Sequence, residues 1–125
     1  MITKQKKIIA VDDNITNLIA LKNILKPMYD VFTASSAAKM FELLTKFKPD
    51  LILLDVEMPE LNGYEAAQFL TNNPDYKRIP IIFITLQKDA DSEMDGLPSG
   101  VVDCIHKPYT APLLLRRIET HLARL

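Results

Sequence analysis

Five polar side chains each follow a short apolar run, and their types together suit the handling of a metal ion and a phosphoryl group. Asp12 and Asp13 close Ile8-Ile9-Ala10-Val11, and Asp55 closes Leu51-Ile52-Leu53-Leu54. Thr85 closes Ile81-Ile82-Phe83-Ile84, and Lys107 lies just beyond Val101-Val102-Asp103-Cys104-Ile105. Taken singly, each has an ordinary reading: acids and hydroxyls at strand ends cap helices or face water, and Asp13 or Asn14 suits the cap of a following helix. Taken jointly they do not. Two unit charges about 4 Å apart repel by about 4 kcal/mol at an effective dielectric near 20, so three gathered carboxylates require a cation. Lys107 supplies one charge. A hard divalent ion such as Mg2+, or Mn2+ in its place, would supply two by taking carboxylate and carbonyl oxygens.

These residues meet only if the apolar runs are strands that end along one edge. The four-residue runs have the length and composition of buried strands, with a weaker, partly alternating strand over 29–34. Between them the period is helical. Leu18, Leu21 and Leu25 share a face with Ile15 and Ile24 nearby, and Pro27 stops that helix. Ser35 or Ser36 caps a second helix with Ala37, Met40, Phe41, Leu44 and Phe47 on one face before Pro49. Residues 56–62 read as a loop, after which Gly63 leads into a helix bearing Tyr64, Ala67 and Leu70 and ending at Asn72-Asn73-Pro74. A short helix is expected over 89–97, weakened by Gly96 and Pro98. Leu114, Ile118, Leu122 and Leu125 mark a last amphipathic helix with Arg116 and Arg117 on or near its wet side. Five strands alternating with helices predict an α/β fold: an open, doubly wound parallel sheet with helices on both faces. In such a sheet ligands bind at the strand C-terminal edge, where the five polar residues stand.

The 125 residues suffice for one domain, 1–125, with its core in 8–125. Fifteen Lys and Arg against sixteen Asp and Glu leave a net charge of −1, which argues against dedicated nucleic-acid or membrane-surface binding. No apolar run approaches the roughly 20 residues of a membrane helix, and Ile8 to Val11 is too short for a signal-peptide core. One cysteine, Cys104, allows neither an internal disulfide nor a Cys-rich zinc site, which suits a reducing cytoplasm. With three glycines, at 63, 96 and 100, the chain has no GxGxxG fingerprint and no GxxxxGK loop, and Ser99 sits one place too late for a nucleophile elbow. His106 and His121 lack a metal-ligand pattern and read as ordinary surface histidines. Cys104 reads as a small buried apolar residue.

Val11-Asp12-Asp13, Leu54-Asp55 with Met58-Pro59 and Gly63 downstream, Ile84-Thr85 and Lys107-Pro108, in this order and spacing, resemble the receiver domain of bacterial two-component response regulators over essentially the whole chain. The resemblance implies a flavodoxin-like strand order 2-1-3-4-5. It implies Asp55 as phosphoacceptor, with Asp13 and Asp55 as direct Mg2+ ligands, Asp12 acting through water, and the Glu57 backbone carbonyl completing the set. Lys107 would pair with one phosphoryl oxygen, and Thr85 would donate its hydroxyl to another as the switch. The implied partners are a histidine kinase or phosphotransfer protein and an output domain or target, the receiver itself being a monomer or weak dimer. By the same resemblance it would be a self-catalysing acceptor and not a turnover enzyme. Three features depart from the family pattern. Cys104, three residues before Lys107, stands where the family usually has a Tyr or Phe whose ring rotamer follows the threonine; Leu86 replaces a small residue and should narrow access for a phosphoryl donor; and Gly96 with Pro98 weakens the helix before the fifth strand. Asp12-Asp13-Asn14 with Asn17 and the closing Thr120-His121-Leu122 are similar to receivers placed before cyclic-dinucleotide enzymes, HD-GYP phosphodiesterases or diguanylate cyclases. The rival reading is a degenerate receiver acting as a phosphorylation-independent interaction module, against which the presence of all five polar residues argues. The chain is expected to be either a stand-alone switch or the receiver of a longer regulator.

Overall fold

A computed structural model describes residues 5–58, 62–86 and 97–123 of the chain. In order these form β1 (Lys7–Val11), α1 (Ile15–Leu25), β2 (Asp30–Ala34), α2 (Ala37–Leu44), β3 (Leu51–Asp55), α3 (Gly63–Asn72), β4 (Ile81–Thr85), β5 (Val101–His106) and α4 (Ala111–Leu122). The strands make one parallel sheet in the order β2-β1-β3-β4-β5. This is the doubly wound sheet that the sequence predicts, in the order that the family resemblance implies.

Strand alternation divides the core in two. Ile9, Val11, Ile52, Leu54, Ile81, Phe83 and Cys104 face one side, where α2 contributes Ala37, Met40 and Leu44 and α3 contributes Ala66, Ala67 and Leu70. Ile8, Ala10, Leu51, Leu53, Ile82, Ile84 and Ile105 face the other, against Leu18, Leu21 and Leu25 of α1 and Leu114, Ile118 and Leu122 of α4. With helices on both faces, β3 and β4 are buried at every residue, which is why they read as unbroken apolar runs. Each helix starts on a side-chain cap: Asn14, Ser36, Asn62 and Thr110 accept from the backbone N–H three residues on.

Several details differ from the sequence expectation. Of the two caps that the sequence offers for α1, Asn14 is the one used, and Leu18, Leu21 and Leu25 are buried as expected, but Ile15 lies off their face at 59% exposure. Helix α2 ends at Leu44, so Phe47 is not on its face; its ring packs on Phe32 of β2 at 4.4 Å. Strand β2 begins at Asp30 and β5 runs on to His106. Of the helix expected over 89–97, all but Leu97 lies outside the described residues. His121 is not an ordinary surface histidine. Its side chain is only 12% exposed, with Nε2 3.0 Å from Asp103 Oδ2, and Arg117 reaches the other oxygen at 2.7 Å. Arg117 and His121 are one helical turn apart, so both reach the same carboxylate and tie α4 to the edge strand β5.

Gly63 opens α3 where no side chain fits. A Cβ there would lie 2.7 Å from the Asp55 carbonyl oxygen and 2.8 Å from the Val56 Cα. Both obstacles are backbone. Gly63→Ala must therefore displace either α3 or the end of β3, and is expected to lower stability by about 1–3 kcal/mol in urea unfolding. An unchanged midpoint would contradict this close approach.

Candidate functional site

Strand register gathers the polar residues. Val11 pairs with Leu54, so Asp12 and Asp55 follow side by side; Asp55 pairs with Ile84, setting Thr85 one step beyond; and Thr85 pairs with His106, which is followed by Lys107. Asp12, Asp55 and Thr85 are the buried polar residues of the described chain, at 3%, 2% and 1% exposure. One carboxylate oxygen each from Asp12, Asp13 and Asp55 falls within a mutual 4.8 Å. Asp13 is the exposed member of the three.

Each buried group has partners. Lys107 Nζ lies 3.1 Å from Asp55 Oδ1 and 3.5 Å from Asp12 Oδ2. Asp12 Oδ1 accepts from the Asn14 backbone at 2.9 Å, and Asp12 Oδ2 accepts from Asn17 Nδ2 at 3.2 Å. The Lys107 backbone N–H donates to the Thr85 carbonyl at 2.8 Å, locking the end of β5 to that of β4, and Pro108 follows through a cis peptide bond. Burial, followed by the charge of Asp12, pushes Asp55 up to about 7 despite the opposing pull of Lys107. Burial alone would lower Lys107, but its hydrogen bond to Asp55 and the charges of Asp55, Asp12 and Glu57 outweigh burial and raise it. The site thus carries more negative charge than its lysine offsets. Three carboxylates in reach of one another form the hard-oxygen donor set that suits a small divalent cation, so the residues present fit Mg2+.

The chain matches the family model of the response regulator receiver domain over residues 8–119. It belongs to that family. This receiver is 37% identical over 118 residues to a probable cyclic di-GMP phosphodiesterase of Vibrio cholerae, covering 94% of the chain but 27% of that protein. It is 32% identical to protein PilH of Pseudomonas aeruginosa, covering 94% of the chain and 98% of PilH. A crystal structure of a putative response regulator from Chloroflexus aurantiacus superposes with a TM-score of 0.87 at 29% identity, covering 96% and 99% of the two chains. The chemotaxis response regulator CheY4 of Vibrio cholerae gives 0.85 at 26% identity, covering 94% and 98%. The chain is therefore a receiver domain of two-component signalling, a family whose members interact with histidine kinases and output domains. It spans about a quarter of one relative and nearly all of another. Among the described residues no helix is long and apolar enough to cross a membrane.

Of the residues singled out in the sequence, Asp12, Asp13, Asp55, Thr85 and Lys107 all lie at the C-terminal edge of the sheet. Cys104 is buried beside Phe83, against whose ring Tyr64 of α3 packs edge-on at 5.1 Å. Leu86 is 63% exposed and lines a groove of about 450 Å³ with Asp12, Ile24, Lys107 and Tyr109. Two contributions were missed. Asn17 secures Asp12, although the cap position of Asn14 one turn earlier does place Asn17 within reach. The Glu57 side chain, expected to matter only through its carbonyl, binds the end of β4: its Oε1 accepts from Thr85 Oγ1 at 2.8 Å and from the Leu86 backbone N–H at 3.0 Å. Nothing in the local sequence signals a contact 28 residues away.

Proposed function

We propose that this receiver accepts a phosphoryl group on Asp55 from the phosphohistidine of a histidine kinase or phosphotransfer protein. The observation that carries the reading is a buried Asp55 carboxylate held against Lys107, with Asp12 and Asp13 beside it. An Asp55 oxygen attacks phosphorus, the P–N bond to the donor imidazole breaks with its electron pair returning to the ring nitrogen, and an acyl phosphate forms as the imidazole, already protonated on its other nitrogen, leaves as the neutral ring. Asp13 and Asp55 would hold Mg2+ directly, with Asp12 through water and the Glu57 carbonyl completing the protein ligands. When bound, the ion offsets charge on the oxygens of the transferred group. Lys107 can follow the charge from the free carboxylate to a phosphoryl oxygen, and the Thr85 hydroxyl donates to another. Charge-assisted hydrogen bonds contribute about 1.5–3 kcal/mol each, so two approach the roughly 5.5 kcal/mol that inverts a 1:99 population.

The test is intact mass after incubation with acetyl phosphate and Mg2+. One added phosphoryl group is expected. No adduct with any donor would favour the phosphorylation-independent module. Asp13→Ala is expected to weaken Mg2+ binding by about 10–100-fold or more, since even residues supporting a ligand carry an effect of that size. Unchanged affinity in a Mg2+ titration would remove Asp13 from the ligand set. The output, whether a fused domain such as a cyclic-dinucleotide enzyme or a separate target, is read out through the state of Thr85.

A further inference from the structure

Two donors converge on one anionic oxygen at the end of β4: the Thr85 hydroxyl and the Leu86 backbone N–H both bond Glu57 Oε1, at 2.8 and 3.0 Å. A threonine hydroxyl carries one proton to donate. It cannot serve Glu57 and a phosphoryl oxygen on Asp55 at once. Glu57 stands two residues after Asp55, and its charge is among those that raise both Asp55 and Lys107, so this carboxylate lies within the field of the site.

We infer that Glu57 is a resting-state latch, its carboxylate filling the two-donor nest that a phosphoryl oxygen on Asp55 must take. The inference rests on Asp55 being the phosphoacceptor and goes beyond it by assigning the Glu57 side chain a task. In the resting protein Glu57 holds Thr85 and Leu86 satisfied, which stabilises the unphosphorylated arrangement. On phosphorylation one set of hydrogen bonds exchanges for another: the Thr85 proton and the Leu86 N–H turn from the Glu57 carboxylate to the phosphoryl group. The number of hydrogen bonds to these two donors is conserved, so the balance between the two states is set by the difference between two anions competing for one nest. Glu57 is itself exposed, and nothing has to unfold for it to leave.

The experiment compares the native chain with Glu57→Ala, which removes the acceptor, and Glu57→Gln, which keeps an acceptor oxygen but no charge. Phosphorylation by acetyl phosphate with Mg2+ is followed by intact mass, and the Leu86 amide by 15N–1H spectra. Glu57→Ala is expected to be phosphorylated about tenfold faster than the native chain, with Glu57→Gln between them. The Leu86 amide should shift when the native chain is phosphorylated and should be displaced in unphosphorylated Glu57→Ala. Equal rates for Glu57→Ala and Glu57→Gln would attribute the effect to charge repulsion of the donor and overturn the latch. So would a Leu86 resonance unmoved by phosphorylation. A native chain that gains no mass would instead overturn the assignment of Asp55, so the two failures are distinguishable.

Discussion

Asp55→Asn is expected to take up no phosphoryl group, and in the absence of metal to melt at a higher temperature than the native chain at pH 8. The first effect follows because an amide lacks the carboxylate nucleophile. The second follows from burial, which with the charge of Asp12 lifts Asp55 from 3.8 to about 7. Between those two values the folded chain binds more protons than the unfolded one, so stability falls as pH rises. The contribution of Asp55 is therefore fully present below about pH 4 and is lost as the pH passes through 7. The neutral amide has no such loss. A shift of this size corresponds to a few kcal/mol, giving the variant roughly 5 °C or more at pH 8 and little advantage at pH 4. Mg2+ should stabilise the native chain far more than the variant. An equal gain at both pH values would show that the gain comes from packing and not from removal of a charge.

Lys107→Met is expected to have the opposite sign. It leaves Asp55 and Asp12 without the ammonium that stands 3.1 and 3.5 Å from them. Removing one partner of a buried ion pair destabilises by about 3–5 kcal/mol, because the remaining charge is buried without compensation. At pH 8 the urea midpoint of the metal-free variant should fall accordingly. At pH 5 Asp55 is already protonated in the native chain, and most of the loss should disappear. Adding Asp55→Asn to Lys107→Met should restore much of the stability at pH 8, since the two substitutions act on one pair and are not additive. Equal losses at pH 5 and pH 8 would mean that Lys107 contributes through the packing of its stem.

Both effects trace to residues that the sequence already marks, because a strand buried on both faces is apolar along its length and carries a polar side chain only at its C-terminal residue, where that side chain, though still buried, meets the partners of the site. That is why Leu51 to Leu54 stops at Asp55 and Ile81 to Ile84 stops at Thr85. The same rule leaves β2 and β5 less sharply drawn. They are edge strands with exposed positions such as Asp30 and Val102, and their boundaries shifted by a residue. Phe47 shows a different limit. An apolar residue at helical spacing marks a face only while the helix lasts, and α2 ends before it.

The sequence by itself determined the alternation of strands and helices, the two-faced core and the five polar residues at strand ends, since all of these follow from burial periodicity along the chain. Strand order came from the family resemblance, because apolar runs of similar length carry no information about which lies beside which. Only the tertiary structure decided which distant side chains use one another. It placed Asp103 between Arg117 and His121, and it set the Glu57 carboxylate on Thr85 and Leu86. Those contacts depend on register between strands and on the path of a loop, and a hydrogen bond across 28 residues leaves no period in the sequence to betray it.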